Sequence, residues 1–277
     1  MGVFGQDEGI SGLLRFRHDL DWRGGDVANS EVRLIYGRNP VMECLKADSE
    51  RIEKVWVLDQ MDKTGRLLVA ELRKAGLKPL TASRQELGNL VKTAEHQGFV
   101  AQAKEIPTAS LNRLYREKTK GLKVLILPQI QDPGNLGALL RTADQLGMDL
   151  VIVGSKGSAS IQLASVAKSS AGAVEHVRIV ETSRPEKMLD ELVEKDFELI
   201  GLETEGTHGP LFAHPRNPEK NVALILGSEG FGLPEAVSSR LHGIYQLPQE
   251  GKVNSLNVSA AGVCAMLWLG GHTGGRA

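Results

Sequence analysis

Disulfides are the first thing this chain lacks. Its two cysteines, Cys44 and Cys264, lie far apart in apolar stretches, with no CxxC spacing and no His/Cys cluster. They read as buried free thiols in a reducing cytoplasm, and no metal site is expected. No apolar run approaches the ~18 residues that a membrane span needs. The first thirty residues contain no apolar signal-peptide core, and Asp7, Glu8, Asp19, Asp21 and Asp26 argue against a transit sequence. A charge excess is missing too: the formal net charge of -1 neither requires nor forbids an anionic partner. GxGxxG, GxxxxGK[ST] and HExxH are all absent. Their absence removes the dinucleotide-binding oxidoreductase, the P-loop and the zinc peptidase from consideration.

What is present is an ordinary soluble composition in a chain long enough for one large domain or two modest ones. Residues 1–30 are rich in Gly and Asp without periodicity, and read as a flexible extension, either a solvated tail or a binding arm. Residues 31–105 make a first α/β unit. It opens with "VRLIYGRNPVMECLKA", a strand or turn and then a helix with Asn39-Pro40 as start signal. "IEKVWVLD" is a strand, and "KTGRLLVAELRKAGL" is an amphipathic helix with Leu67, Leu68, Leu72 and Leu77 on its apolar side. "QELGNLVKT" is a short helix and "HQGFVAQAKE" a further strand. Residues 106–123, with five Lys/Arg against the single acid Glu117, read as a basic linker.

From 124 to 277, continuous apolar strands alternate with helices, the pattern of a parallel sheet covered on both faces. Charge is split along the chain. Residues 32–105 carry thirteen Lys/Arg against ten Asp/Glu, and those from Val124 onward twelve against seventeen. An RNA partner would therefore meet the first unit and the linker, although such excesses also decorate plain solvated faces.

Ligands of open parallel sheets bind at the carboxyl ends of strands, and three such ends are chemically unusual. In "LILPQIQDPGNLGALLRTADQLG", Asp132-Pro133-Gly134 is a turn, and Asn135 caps a helix carrying Arg141 among Leu139, Leu140, Ala143 and Leu146. Gly137 lets that helix approach another backbone. A buried guanidinium there needs a partner, by function or by an interhelical salt bridge. In "ALILGSEGFGLPEAV", three glycines in six residues open their amides to a ligand, with Glu229 among them. In "VNSLNVSAAGVCAMLW", Ser255, Asn257 and Ser259 form a cluster larger than a helix cap requires. Amides and hydroxyls do not titrate near neutrality, so they suit a polar ligand with little net charge. The seven histidines are scattered and none neighbours these loops in sequence. No triad or carboxylate pair accompanies them, so positioning of two substrates is better supported than hydrolysis.

"NLGALLRTADQLG", "LILGSEGFGLP" and "NSLNVSAAGVC", in that order, resemble the three signature motifs of the SpoU (TrmH-type) RNA ribose 2'-O-methyltransferases of the SPOUT superfamily. "GRNPVMECL" and "HQGFVAQAKE" resemble the family's L30e/L7Ae-like substrate-binding domain, and "KSSAGAVEHV" matches a further family stretch. The likeness covers about 33–270 and is greatest to the bacterial 23S rRNA guanosine-2'-O-methyltransferases. It implies a deep C-terminal trefoil knot, S-adenosylmethionine as cofactor, 23S rRNA as substrate and a homodimer. By motif, Asn135, Arg141, Glu229, Ser255 and Asn257 take the catalytic positions. Gly227, Gly230, Gly232, Leu247 and Leu256 take the cofactor-binding ones. Methylation of another rRNA site or of tRNA, and a knotted RNA-binding or ribosome-assembly factor without catalysis, are the alternatives.

Overall fold

A computed structural model describes residues 32–228, 232–252 and 255–271. The extension read over 1–30, together with Glu229 and Gly230, lies outside the described residues. The first sheet has the order β1-β4-β2-β3, from β1 (Val32–Tyr36), β2 (Ile52–Leu58), β3 (Leu80–Ala82) and β4 (Phe99–Lys104). β4 runs antiparallel to β1 and β2, while β3 pairs parallel with β2. Strand alternation divides the side chains between two faces. Ile35, Val55, Val57 and Ala101 pack with Val41 and Cys44 of α1 (Arg38–Ala47) and with Val69 and Leu72 of α2 (Lys63–Lys74). On the other face Val100 and Ala82 meet Leu87 of α3 (Arg84–Val91).

Three local expectations need correction. α1 begins at Arg38, ahead of the Asn39-Pro40 signal, because Gly37 makes the turn with a φ of 99°. Pro40 then sits in the first helical turn, where a missing N–H costs no intrahelical bond. In α2 the buried positions are Gly65, Val69 and Leu72, so Leu67 faces solvent, 47% exposed. Within the linker span, α4 (Leu111–Glu117) is a helix whose Leu111 and Leu114 are buried in the second core. Ser110 caps it by accepting from the Arg113 amide at 3.3 Å. The backbone at Ile106 is also fixed, exchanging hydrogen bonds of 2.9 and 3.1 Å with the Gln162 side chain.

The second sheet has the order β10-β8-β9-β5-β6-β7, and every pairing in it is parallel. Its strands are β5 (Lys123–Leu127), β6 (Leu150–Gly154), β7 (Ile179–Thr182), β8 (Phe197–Leu202), β9 (Asn221–Leu226) and β10 (Gly243–Tyr245). β5, β6 and β9 bury nearly every residue, as continuous apolar runs demand when helices cover both faces. One face packs on α5 (Pro133–Gln145), α6 (Ala164–Ser169) and α9 (Val258–Gly270). The opposite face packs on α4, α7 (Pro185–Glu194) and α8 (Glu235–Ser238). No described helix is long and apolar enough to cross a membrane.

A short segment after α6 joins the two sheets. A Cβ on Gly137 of α5 would lie 2.8 Å from the Ser170 amide nitrogen, so only glycine admits this approach. Gly172, at φ +89°, presses against Glu43 and Pro40 of α1. Glu175 then reaches back to the first sheet: Arg33 Nη2 donates to its Oε1, and Arg51 Nη2 donates to its Oε2 at 3.0 Å. All three side chains are at most 5% exposed. His176 adds a 2.8 Å contact to Glu43. Burial alone would raise the Glu43 carboxyl, but hydrogen bonds from His176 and Lys46 hold it below its ordinary value.

Removing the shared carboxylate strands two buried guanidiniums. Glu175→Ala should therefore lower stability by ~3–5 kcal/mol, read as a lower urea midpoint, and an unchanged midpoint would contradict the assignment. Cys44 is buried and its thiol is pushed up to about 12, mainly by desolvation. Native protein treated with iodoacetamide at about pH 8 should retain an unmodified Cys44, while the partly exposed Cys264 is alkylated first; mass spectrometry of peptides reads the difference.

Candidate active site

The loops singled out in the sequence leave the carboxyl ends of β5, β9 and β10. Asp132, not Asn135, caps α5: its carboxylate accepts from the Asn135 amide at 2.8 Å, and Pro133 takes the first helical position. Asn135 is thereby displaced into the first turn, which leaves its side chain available for a tertiary contact. That contact is with the third loop, where Asn257 Nδ2 donates to Asn135 Oδ1 at 3.0 Å. Asn257 also caps α9, its Oδ1 accepting from the Ser259 amide at 2.9 Å and from the Ser259 hydroxyl. One amide side chain thus starts a helix with its oxygen and ties two loops with its nitrogen. Ser259 completes the cap, and Ser255 is exposed.

Arg141 is exposed, contrary to the expectation of burial. The buried stripe of α5 is Leu136, Gly137, Leu139, Leu140 and Ala143, and Arg141 projects beside it. Among the described residues it makes no ion pair or hydrogen bond, so an interhelical salt bridge does not account for it there.

After β9 the chain doubles back tightly. Ser228 and Gly232 exchange backbone hydrogen bonds of 3.2 Å in each direction. A Cβ on Gly227 would lie 2.5 Å from the Gly232 carbonyl carbon, and Gly232 itself has a φ of +64°. Ser228 Oγ is buried and has no partner among the described residues. Beside this turn lies a cleft of about 330 Å³ lined by Gln129, Gln131, Gly232 and Pro234. Leu247 is 5% exposed and belongs to the core under α9, whereas Leu256 is 45% exposed. The structure thus joins Asn135 to Asn257 and Gly227 to Gly232. It does not bring Leu247 and Leu256 to equivalent surroundings.

Two features escape a reading of the sequence. Glu203, just past β8, accepts from the Leu233 amide at 2.8 Å and so anchors the glycine-rich turn from outside it. Histidines also gather by the third loop, despite their scatter in sequence. His214 Nδ1 pairs with the Tyr245 hydroxyl at 2.9 Å and its Nε2 with Glu198 at 3.0 Å. His208 Nδ1 accepts from the Ile244 amide at 3.2 Å. Desolvation, with Glu198 nearby, raises the Tyr245 phenol above its ordinary value. Parallel pairing of β10 with β8 creates this neighbourhood, and no local pattern announces it. Among the described residues no cluster of His, Cys, Asp or Glu could hold a metal ion.

A parallel sheet with polar loops gathered at its carboxyl edge, joined to a smaller sheet, defines a class that comparison with known proteins identifies. The chain belongs to the SpoU rRNA Methylase family, whose model matches residues 123–267. A second model, RNA 2'-O ribose methyltransferase substrate binding, matches residues 34–109. The chain is 34% identical to the putative TrmH family tRNA/rRNA methyltransferase YacO of Bacillus subtilis, over 82% of this chain and 90% of that one. It is 36% identical to the 23S rRNA (guanosine-2'-O-)-methyltransferase RlmB of Yersinia pestis, over 83% and 94%. In fold it is similar to the SpoU methyltransferase AviRb of Streptomyces viridochromogenes, solved with AdoMet, at a TM-score of 0.72 and 20% identity over 86% and 88% of the two chains.

The anchor at Glu203 is open to a direct check. A hydrogen bond to a charged acceptor contributes ~1.5–3 kcal/mol, so Glu203→Ala should speed hydrogen exchange at the Leu233 amide by roughly tenfold or more. Exchange at wild-type rate would show that the turn holds itself.

Proposed function

We propose that the chain transfers a methyl group from S-adenosylmethionine to a ribose 2'-hydroxyl of RNA, most specifically to a guanosine of 23S rRNA. The observation that carries this reading is the Asn257–Asn135 hydrogen bond, which joins the first and third motif loops at the carboxyl edge of the sheet. The cofactor fits the residues present. Ser228 Oγ, buried at the glycine-rich turn and without a partner among the described residues, suits a polar ligand, and the exposed Leu256 offers an apolar surface of the kind an adenine ring covers. Gly227, Gly230, Gly232, Leu247 and Leu256 would hold it, with their backbones as much as their side chains.

Bound S-adenosylmethionine would supply an activated methyl group, its sulfonium S–CH3 bond breaking to leave a neutral thioether, and the 2'-hydroxyl that receives the methyl would release its proton to solvent. A guanidinium is a poor general base, so the part of Arg141 is to hold the adjacent phosphate and stabilise the developing alkoxide rather than to take the proton. Asn135 and Asn257 would fix the two loops around the reacting sugar, with Ser255 in the same loop as Asn257, and Glu229 would hold Arg141 or its partner in place.

The remaining parts of the reading follow the family. The C-terminal half would form a trefoil knot. In support, β10 lies at the sheet edge with β8 and β9 between it and β5, yet Asn257 reaches Asn135 in the loop after β5. Residues 31–105 would be the L30e-like substrate-binding domain, followed by the linker segment to 123 and the methyltransferase domain from 124. A homodimer is supported by α9, which carries no charged residue yet leaves Val263 37% exposed. The compartment would be cytoplasmic.

Arg141→Ala should reduce methyl transfer from tritiated cofactor to 23S rRNA by ~10²–10³-fold, the scale for a lost charge-stabilising donor. Calorimetric binding of S-adenosylmethionine should survive. Near-normal turnover in that variant removes Arg141 from its role, and absent cofactor binding in the wild type favours the non-catalytic RNA-binding reading.

A further inference from the structure

We propose that the face of the first sheet left open beside α3 is a binding site for an unpaired nucleotide of single-stranded RNA, with Trp56 as the stacking platform. The inference deepens the proposed function and rests on it for the identity of the polymer.

The sheet register lays this face out in rows. Tyr36, Val100, Trp56 and Leu80 form one row across the four strands. Leu34, Gln102 and Lys54 form the next, and Val32 and Lys104 the last. α3 covers the first row through Leu87 and Val91. The cover is partial: Trp56 is only half-buried, Leu80 at the end of the same row and Val32 in the last row are each 49% exposed, and Leu90 at the rim 37%. Apolar side chains on an open sheet face cost solvation and mark a contact surface. Between the sheet and α3 lies a cavity of about 600 Å³ lined by Trp56, Leu80, Thr81, Glu86, Asn89 and Leu90.

The chemistry around the indole suits a base and its phosphate. Lys54 and Lys104 are exposed on the same face as Trp56, one row and two rows away. The exposed Asn89 amide can both donate and accept, as a base edge requires. Two of the acids nearby are already engaged. Glu86 accepts from the Ser83 amide at 2.7 Å in the cap of α3, and Glu53 accepts from Gln102 at 3.0 Å. An aromatic on an open sheet with lysines beside it is how single strands are held without reading a duplex. A paired base cannot enter the cavity, because its faces are already stacked.

The test uses the full chain and a fluorescein-labelled single-stranded RNA of about twelve nucleotides, alone or annealed to its complement, with binding read by anisotropy. The single strand should bind more tightly than the duplex. Trp56→Ala should weaken it ~5-fold or more, the scale of one lost base stack, and Trp56→Phe should restore most of the affinity. Should Trp56→Ala fail to fold, Lys54→Ala with Lys104→Ala should still flatten the salt dependence of single-strand binding by ~1.4 in slope. Equal binding of single strand and duplex, or affinity indifferent to all these variants, overturns the site. So does a Trp56→Ala protein that changes its sedimentation but not its RNA affinity, which would give the face to a second copy. Calorimetry keeps the two readings apart. Wild-type protein that binds the single strand through Trp56 but ignores S-adenosylmethionine would end the catalytic reading and leave this one standing.

Discussion

Two guanidiniums share one carboxylate at the joint of this molecule. Arg33 comes from the edge of the first sheet, Arg51 from the turn before β2, and Glu175 from the turn after α6. All are withdrawn from water. Charges so placed cost heavily to desolvate and are tolerable only together, so neither sheet can move from the other without exposing an unpaired ion. The segment that carries Glu175 also carries Ser170, against Gly137 of α5, and Gly172, against α1. A displacement at the joint is therefore a displacement of α5, the helix that bears Asn135 and Arg141. The first sheet and the loops at the carboxyl edge of the second are positioned by one stretch of about eight residues.

Within the second sheet the organising fact is parallelism. Every strand delivers its loop to the same edge, so residues more than a hundred positions apart in sequence meet there without any special device. Asn257 shows why the residue type matters. Its oxygen must accept from the start of α9 while its nitrogen donates to Asn135. An aspartate has no donor for the second contact and a serine is too short for both.

Much of this was legible from the chain. Continuous apolar strands announced the parallel sheet, and the three polar loops at strand ends were visible as departures from what a turn or cap requires. Other features were hidden for identifiable reasons. Asp132 and Asn135 are equally good caps, and only Pro133 between them decides which one starts the helix. α4 is submerged in basic residues, and its two buried leucines, three apart, are a faint signal against five cations. β3 is three residues long, too short for an alternation to register. Glu175 and Glu203 were invisible because a carboxylate in sequence reads as surface, and only distant partners make it interior or anchoring.

The arginines separate into two populations on physical grounds. Arg33 and Arg51 are buried and held by Glu175, so their charge is spent on the architecture. Arg141 lies on a rigid, well-packed helix, exposed, with no ion pair among the described residues. A guanidinium in that position adds little to folding, since exposed charges are already well solvated. It retains its full capacity to meet a phosphate in bidentate fashion. The helix beneath it is fixed by Gly137 on one flank and, through Leu139 against Gly262, by α9 on the other. Fixed backbone and uncommitted charge are what stabilising a transient oxyanion requires, because a donor already in place loses no energy to reorganisation when the charge appears. The same residue on a mobile loop would fail that requirement.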